Sequence, residues 1–343
     1  MRAAVHRAHG GPDVLEVVDV PDPDPGPGEV LVAVRAASLN RLDMLQREGT
    51  VTIPGFALPH IAGMDVAGEI VAVGPGVDPG RVGERVVVDP AIACGACASC
   101  LAGDGIRCEG LQVIGANRPG GHAELCCVPA SHAHPLPDHI GFAEAATIPT
   151  TWSTAWHALY ETAELRSGES VLIHAAGSGV STAAIQLAKR AGATVLASAR
   201  SAAKLEHARK LGADAVVDST REDVAAAARA LTGGRGVDVV FDHVGPALWD
   251  VSLASLRPRG RLVFCGSTTG GRVTLDLPAA YRFRLRLLGS DSYSAPEFAR
   301  MLDSYWTGGF EPVVDRELPL ADVAHAHELM AAGDVLGKIV LRP

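Results

Sequence analysis

An apolar run, Val171-Leu-Ile-His-Ala175, passes through the small residues Ala176-Gly177-Ser178-Gly179 into an apolar-faced stretch, Val180–Lys189. No other segment restricts the possible folds as sharply. The run reads as a buried strand, the small residues as a tight turn, and the remainder as a helix. A turn without bulky side chains lets its backbone approach a pyrophosphate, and the helix N-terminus behind it offers N–H donors and the positive end of a dipole. Ala176, Gly177, Ser178, Gly179, Val180 and Ser181 are therefore expected to line a dinucleotide site. Ser181 stands where the usual fingerprint has its third glycine, whose smallness permits close helix–strand packing; serine is small enough to substitute.

The same alternation continues downstream. Thr194–Ala197, Ala215–Val217, Val237–Phe241, Arg261–Phe264 and Arg286–Gly289 read as strands, with helices over Ala202–Leu211 and Arg221–Leu231. Alternating units of this length imply a parallel sheet with right-handed crossovers. Ligands of such sheets bind at the carboxyl ends of the strands, so His243 and Gly245, and then Cys265, Gly266 and Ser267, are expected on the cofactor side. After the second strand an NAD site usually carries an acid; here Ala199 is followed by Arg200, Ser201 and Lys204, with no acid before Glu206. Two cations and a hydroxyl suit a ribose 2′-phosphate, so NADPH is expected over NADH.

A chain of 343 residues exceeds one ordinary core. Its first third is β-rich, with short apolar runs such as Val30–Val34 and Ile70–Val73 between Gly/Pro punctuation, and its last fifty residues end in a strand, Lys338–Leu341. The two ends are expected to form one domain, residues 1–126 with 293–343, around a dinucleotide-binding domain over 127–292. Pro21–Gly28 reads as an extended surface turn.

Four of the seven cysteines fall at Cys94, Cys97, Cys100 and Cys108. Four thiolates so close in sequence can wrap one tetrahedral ion and leave it no open position, which makes the site structural. Zinc is the first choice of ion and an iron–sulfur cluster the rival. A net charge of −9 argues against nucleic-acid or anionic-membrane binding. No bilayer-spanning run and no signal peptide are read, so the expected location is the cytoplasm.

With the β-rich first part, the four-cysteine lobe and the strand–turn–helix unit in view, the chain resembles the medium-chain dehydrogenase/reductase superfamily over essentially its whole length. Further phrases fit: Gly63–Gly74, Gly83–Val86, Gly120–Glu124, Asp242–Gly245 and Gly337–Val340. The resemblance implies an α/β protein with a GroES-like β-rich catalytic domain and a doubly wound Rossmann domain. In zinc alcohol dehydrogenases of this superfamily a second, catalytic zinc takes ligands at positions that fall here on Asn40, Met64 with the neighbouring Asp65, and Thr150. None of these is a thiolate or imidazole, and no catalytic zinc is expected.

Without that metal the chain resembles the quinone oxidoreductase and enoyl-reductase branch, which carries an asparagine at the Asn40 position and a threonine matching Thr154. That resemblance implies hydride transfer from NADPH to an activated C=C or a quinone, with Asn40 and Thr154 as catalytic donors. An alcohol dehydrogenase or reductive cyclase on the same scaffold, and a non-catalytic crystallin-like NADPH binder, are the alternatives. The resemblance also implies that Lys338 can reach the adenine-side phosphate, and it makes a homodimer the expected assembly around a small-molecule substrate.

Overall fold

All strands between residues 170 and 289 pair in parallel. The computed structural model describes residues 1–343 and gives β1 (Ser170–Ile173), β2 (Thr194–Ala199), β3 (Ala215–Asp218), β4 (Val237–Asp242), β5 (Leu256–Phe264) and β6 (Arg286–Gly289). Their order across the sheet is β3-β2-β1-β4-β5-β6. Order reverses between β1 and β4, the switch point at which such sheets bind nucleotides. The helix after β1, α1 (Gly179–Arg190), is buried without interruption from Ser181 to Ala188, as a helix covered on all sides must be. Leu172, Leu196, Val240 and Leu262 fill the core with Val224, Ala228 and Trp249 from the covering helices.

Local chemistry adjusts the expected boundaries. The helix anticipated from Arg221 begins at Val224, because Asp223 caps it by accepting from the Ala226 N–H at 3.0 Å; an N-cap carboxylate satisfies a donor that lacks an intrahelical partner. Strand β5 starts five residues before Arg261, reached through Arg259 at φ 63°.

These elements belong to a unit spanning Thr151–Ser292. The second unit comprises Met1–Thr150 and Tyr293–Pro343. The first boundary thus lies at 150/151 and not at 126/127. The reason is pairing: Leu125–Pro129 lies antiparallel to Glu29–Ser38, and Ala133–Pro135 to Arg85–Val88, while Tyr305 Oη bonds Glu144 Oε1 at 3.1 Å. Val30, Val32, Val66, Ile70, Val86 and Val128 form the core of this unit.

Three of its strands fix the register that matters below. Glu29–Ser38 pairs antiparallel with Asp65–Val73, setting Ser38 opposite Asp65. On its other side it pairs with Lys338–Arg342, setting Ser38 opposite Val340. Gly337, at φ 86°, turns the chain into that last strand, and a Cβ there would lie 2.2 Å from the Val313 carbonyl oxygen.

Candidate functional site

The turn after β1 is made of small residues and braced from behind. Ser178 caps α1, its Oγ accepting from the Ser181 N–H at 3.1 Å. Ser181 Oγ donates to the His174 carbonyl at 2.6 Å. Its only proton is thereby used, so the 2.8 Å contact to His243 Nε2 requires the imidazole to donate. Ser181 is fully buried. A serine in the third glycine's place is therefore a hydrogen-bonded brace between strand and helix, a role that neither Ser181 nor His243 signals in sequence. His243 reaches inward to Ser181 and Ser178 from the end of β4.

A Cβ at Gly177 would lie 2.6 Å from Cδ of Lys204, and that flexible stem would have to move aside for it. The Lys204 stem thus lies across the turn. Ala199 is buried at the end of β2, and Arg200 and Ser201 follow it exposed. The Arg200 guanidinium makes no hydrogen bond or ion pair within the chain, which leaves it available to an anionic group. The loops after β4 and β5 approach closely: a Cβ on Gly266 would meet the His243 carbonyl oxygen at 2.9 Å, and Gly245 holds φ 85°. Burial pushes the Cys265 thiol up to about 12, so it is a neutral small side chain and no nucleophile. The turn, the unpaired Arg200 and the close loops fit a dinucleotide, and an acid that would repel a 2′-phosphate is missing at the end of β2.

In the other unit, Asn40 precedes the helix Arg41–Glu48, and its N–H donates to Asp43 Oδ2 at 2.7 Å. The residues at the positions of the superfamily's catalytic-zinc ligands do converge, but on a carboxylate. Asp65 Oδ1 accepts from Thr150 N at 2.8 Å and Thr150 Oγ1 at 2.6 Å. Asp65 Oδ2 accepts from Ser38 Oγ, Asn40 Nδ2 and Lys338 Nζ, each at 2.9 Å. Burial opposes ionisation of Asp65, but the Lys338 charge and these hydrogen bonds outweigh it and hold the carboxyl below its usual range. Burial pushes Asp43 the other way, up to about 6.

Lys338 requires a correction. Its ammonium also donates to Asn40 Oδ1 at 2.6 Å, and the side chain is 5% exposed. It is committed to Asn40 and Asp65 and does not extend toward a phosphate, because the register that sets Val340 opposite Ser38 brings Lys338, two residues earlier, beside Asn40. Thr154 lies in the helix Pro149–Trp156, four residues beyond Thr150 and so on the same helix face; its hydroxyl makes no hydrogen bond within the chain.

The Sγ atoms of Cys94, Cys97, Cys100 and Cys108 lie within 4.8 Å of one another, with Cys97–Cys100 at 3.5 Å and Cys94–Cys100 at 3.9 Å. Sulfurs on a tetrahedral zinc are separated by about 3.8 Å. Backbone N–H groups of Ala96 and Cys97 pull the Cys94 thiol down to about 6, while desolvation pushes Cys100 up to about 12. Four neighbouring sulfurs cannot all ionise unaided, and a divalent cation removes that conflict. The donor set fits a closed structural metal site. No helix is long and apolar enough to cross a membrane.

Comparison with known proteins agrees with this geometry. Residues 26–138 match the model of the alcohol dehydrogenase GroES-like domain, and residues 179–307 that of the zinc-binding dehydrogenases. A quinone oxidoreductase of Pseudomonas aeruginosa is 33% identical over 98% of both chains. A crystal structure of an NAD-dependent alcohol dehydrogenase superposes with a TM-score of 0.96 at 42% identity, covering 100% of both chains. A mycobacterial protein solved with NADPH superposes at 0.83, with 31% identity and both chains covered to 100%. The chain belongs to the medium-chain dehydrogenase/reductase superfamily and is an oxidoreductase.

Proposed function

We propose that this oxidoreductase is an NADPH-dependent reductase of activated C=C bonds (enone or enoyl) or quinones that works without a catalytic zinc. The observation that carries the reading is the cluster around Asp65, where an asparagine amide, a threonine hydroxyl and a lysine ammonium occupy the ground that thiolate and imidazole ligands would need. Names of relatives support it: the Pseudomonas quinone oxidoreductase and the NADPH-bound mycobacterial protein. Bound at the turn after β1, NADPH supplies a hydride to an electron-poor carbon conjugated to a carbonyl. This chain's part is to hold the pyrophosphate at Ala176–Val180, with Ser181 bracing the turn from behind, the 2′-phosphate at Arg200, Ser201 and Lys204, and the nicotinamide side at Gly245, Cys265, Gly266 and Ser267. Asn40 Nδ2 and Thr154 Oγ1 donate to the oxygen on which charge develops.

The test is NADPH oxidation against enones, quinones and aldehydes. Turnover of 1,4-naphthoquinone or 2-cyclohexenone with no aldehyde reduction is the expected result. Asn40→Ala should lower kcat about 100-fold, the usual cost of removing one such donor. Reduction of aldehydes alone would favour the alcohol dehydrogenase reading, to which the name of the 42% identical relative points. Tight NADPH binding with no turnover on any of them would favour the non-catalytic one.

One zinc held by Cys94, Cys97, Cys100 and Cys108 completes the proposal, as a pin for the loop between Ala91–Ile92 and its partner strand Gln112–Val113. Elemental analysis should find one zinc per chain. Chelation should expose that loop to protease while leaving the NADPH Kd unchanged. Two zincs per chain would overturn the zinc-free reaction site. We also propose a homodimer. Strand β6 is a sheet edge, and Val273, Leu277, Tyr281 and Phe283 nearby in sequence are exposed; light scattering should give twice the chain mass.

A further inference from the structure

The amide of Asn40 has two faces, and the structure decides which one a ligand can meet. Its oxygen accepts from the Lys338 ammonium at 2.6 Å. Its nitrogen donates one proton to Asp65 Oδ2 at 2.9 Å. An ammonium only donates and an ionised carboxylate only accepts. Rotating the carboxamide by half a turn would set its NH2 against the ammonium and its oxygen against the carboxylate, so the amide has a single allowed orientation. One Nδ2 proton remains outside this pair of bonds.

Asp65 cannot fix the amide alone. It already takes five hydrogen bonds, and it touches only the nitrogen side. The oxygen side is held by Lys338, which the sheet register places there across 298 residues of chain.

We propose that Lys338 is a positioning residue of the reduction: by holding Asn40 Oδ1 it locks the carboxamide so that the remaining Nδ2–H is what the substrate oxygen meets. This rests on the reading of Asn40 as a donor to that oxygen. The Lys338–Asp65 pair lies within one unit, so the fold itself orients the donor before substrate arrives. Preorganisation of this kind removes reorganisation from the reacting step.

The experiment compares Lys338→Met, Lys338→Arg, Asp65→Asn/Lys338→Met, Asn40→Ala and Asn40→Ala/Lys338→Met. Each is assayed with 1,4-naphthoquinone or 2-cyclohexenone, whichever the unaltered enzyme reduces. Tm and the NADPH Kd from fluorescence titration are read alongside. Lys338→Met leaves Asp65 buried without its cation, so its Tm falls; the neutral double variant removes both charges and recovers Tm. The expected result is a kcat lowered about 10- to 100-fold in Lys338→Met, still low in the neutral double variant, and mostly retained in Lys338→Arg, whose guanidinium can still donate to Oδ1. The NADPH Kd should not move. Lys338→Met should cost nothing further in the Asn40→Ala background, since residues acting through one another are not additive.

Recovery of kcat together with Tm in the neutral double variant would reduce Lys338 to a structural ion pair and overturn the inference. So would additive losses with Asn40→Ala. An unchanged kcat in Asn40→Ala itself would instead overturn the donor reading. A loss in Asn40→Ala with none in Lys338→Met would leave that reading standing and remove Lys338 from it.

Discussion

Arg200→Asp combined with Lys204→Ala should lower kcat/KM for NADPH by about 100-fold or more while raising that for NADH several-fold. Each charge-assisted hydrogen bond to a phosphate contributes about 1.5 kcal/mol, so losing two costs about 3 kcal/mol, or roughly 150-fold. The new carboxylate adds repulsion of the 2′-phosphate and gains the ribose hydroxyls as partners. Arg200 has no partner in the chain to lose, so its replacement should leave Tm within about 2 °C of the parent. Lys204→Ala also uncovers Gly177, across which the lysine stem lies, and the single variants separate that packing effect from the charge effect. The comparison bears directly on the relative 42% identical, which is described as NAD-dependent. A parent enzyme that prefers NADH, or a double variant that still prefers NADPH, would sink the assignment of Arg200 and Lys204.

Acid should destabilise this protein steeply, beginning below pH 6.5. Burial, with neighbouring positive charge or imidazole for most of them, lowers His6, His122, His134 and His174 to about 4 and His327 to about 3. His327 shows the physics plainly. Its Nδ1 sits 3.1 Å from Nη1 of the buried Arg47, which can only donate, so the imidazole must be the neutral acceptor. His6 has no hydrogen-bond partner on either ring nitrogen.

A group with a lowered native pKa that is neutral when deprotonated stabilises the fold above its unfolded pKa and loses that contribution as pH falls through the native one. For these histidines the window runs from 6.5 down to about 4. Asp43 and Asp89 act oppositely. Burial raises them to about 6 and about 7, so their protonation in acid favours the native state. From these seven groups alone, the unfolded chain at pH 5 holds five histidine protons that the native chain lacks, and the native chain holds two carboxyl protons that the unfolded chain lacks. A net difference of three protons gives a slope of about 4 kcal/mol per pH unit. For a protein of this size that is about 6 °C in Tm per pH unit. Scanning calorimetry from pH 7.5 to 4.5 measures it. His6→Phe, which loses no hydrogen bond and keeps the ring beside Phe56 and His60, should flatten the curve by about one proton. A Tm constant between pH 6.5 and 4.5 would refute the buried neutral histidines.

Much of the nucleotide-binding unit was legible because its signals are local. Strand β6 falls on Arg286–Gly289 as its apolar run implies, and the turn after β1 announces itself within a dozen residues. Where boundaries moved, a single side chain moved them, as Asp223 did by capping its helix. The division at 150/151 escaped because the pairing of Leu125–Pro129 with Glu29–Ser38 joins segments about a hundred residues apart, and no local pattern carries that register. Lys338 was misplaced for the same reason. A motif gave its presence, but only the antiparallel register that sets Val340 opposite Ser38 gave its direction, toward Asn40.

The sequence by itself determined what short-range chemistry can determine: a strand–turn–helix that admits a dinucleotide, four cysteines spaced for one ion, cations after β2, and the loss of thiolate and imidazole at positions 40, 64 and 150. Tertiary structure decided what those losses became. Ser38, Asn40, Asp65, Thr150 and Lys338 meet only because three strands and one helix set them side by side, and the charge on Asp65 depends on that meeting. Ser181 became a brace only when His174 and His243 closed on it. Residue type fixes which bonds a side chain can make; burial and register fix which it does make, and with them its protonation state.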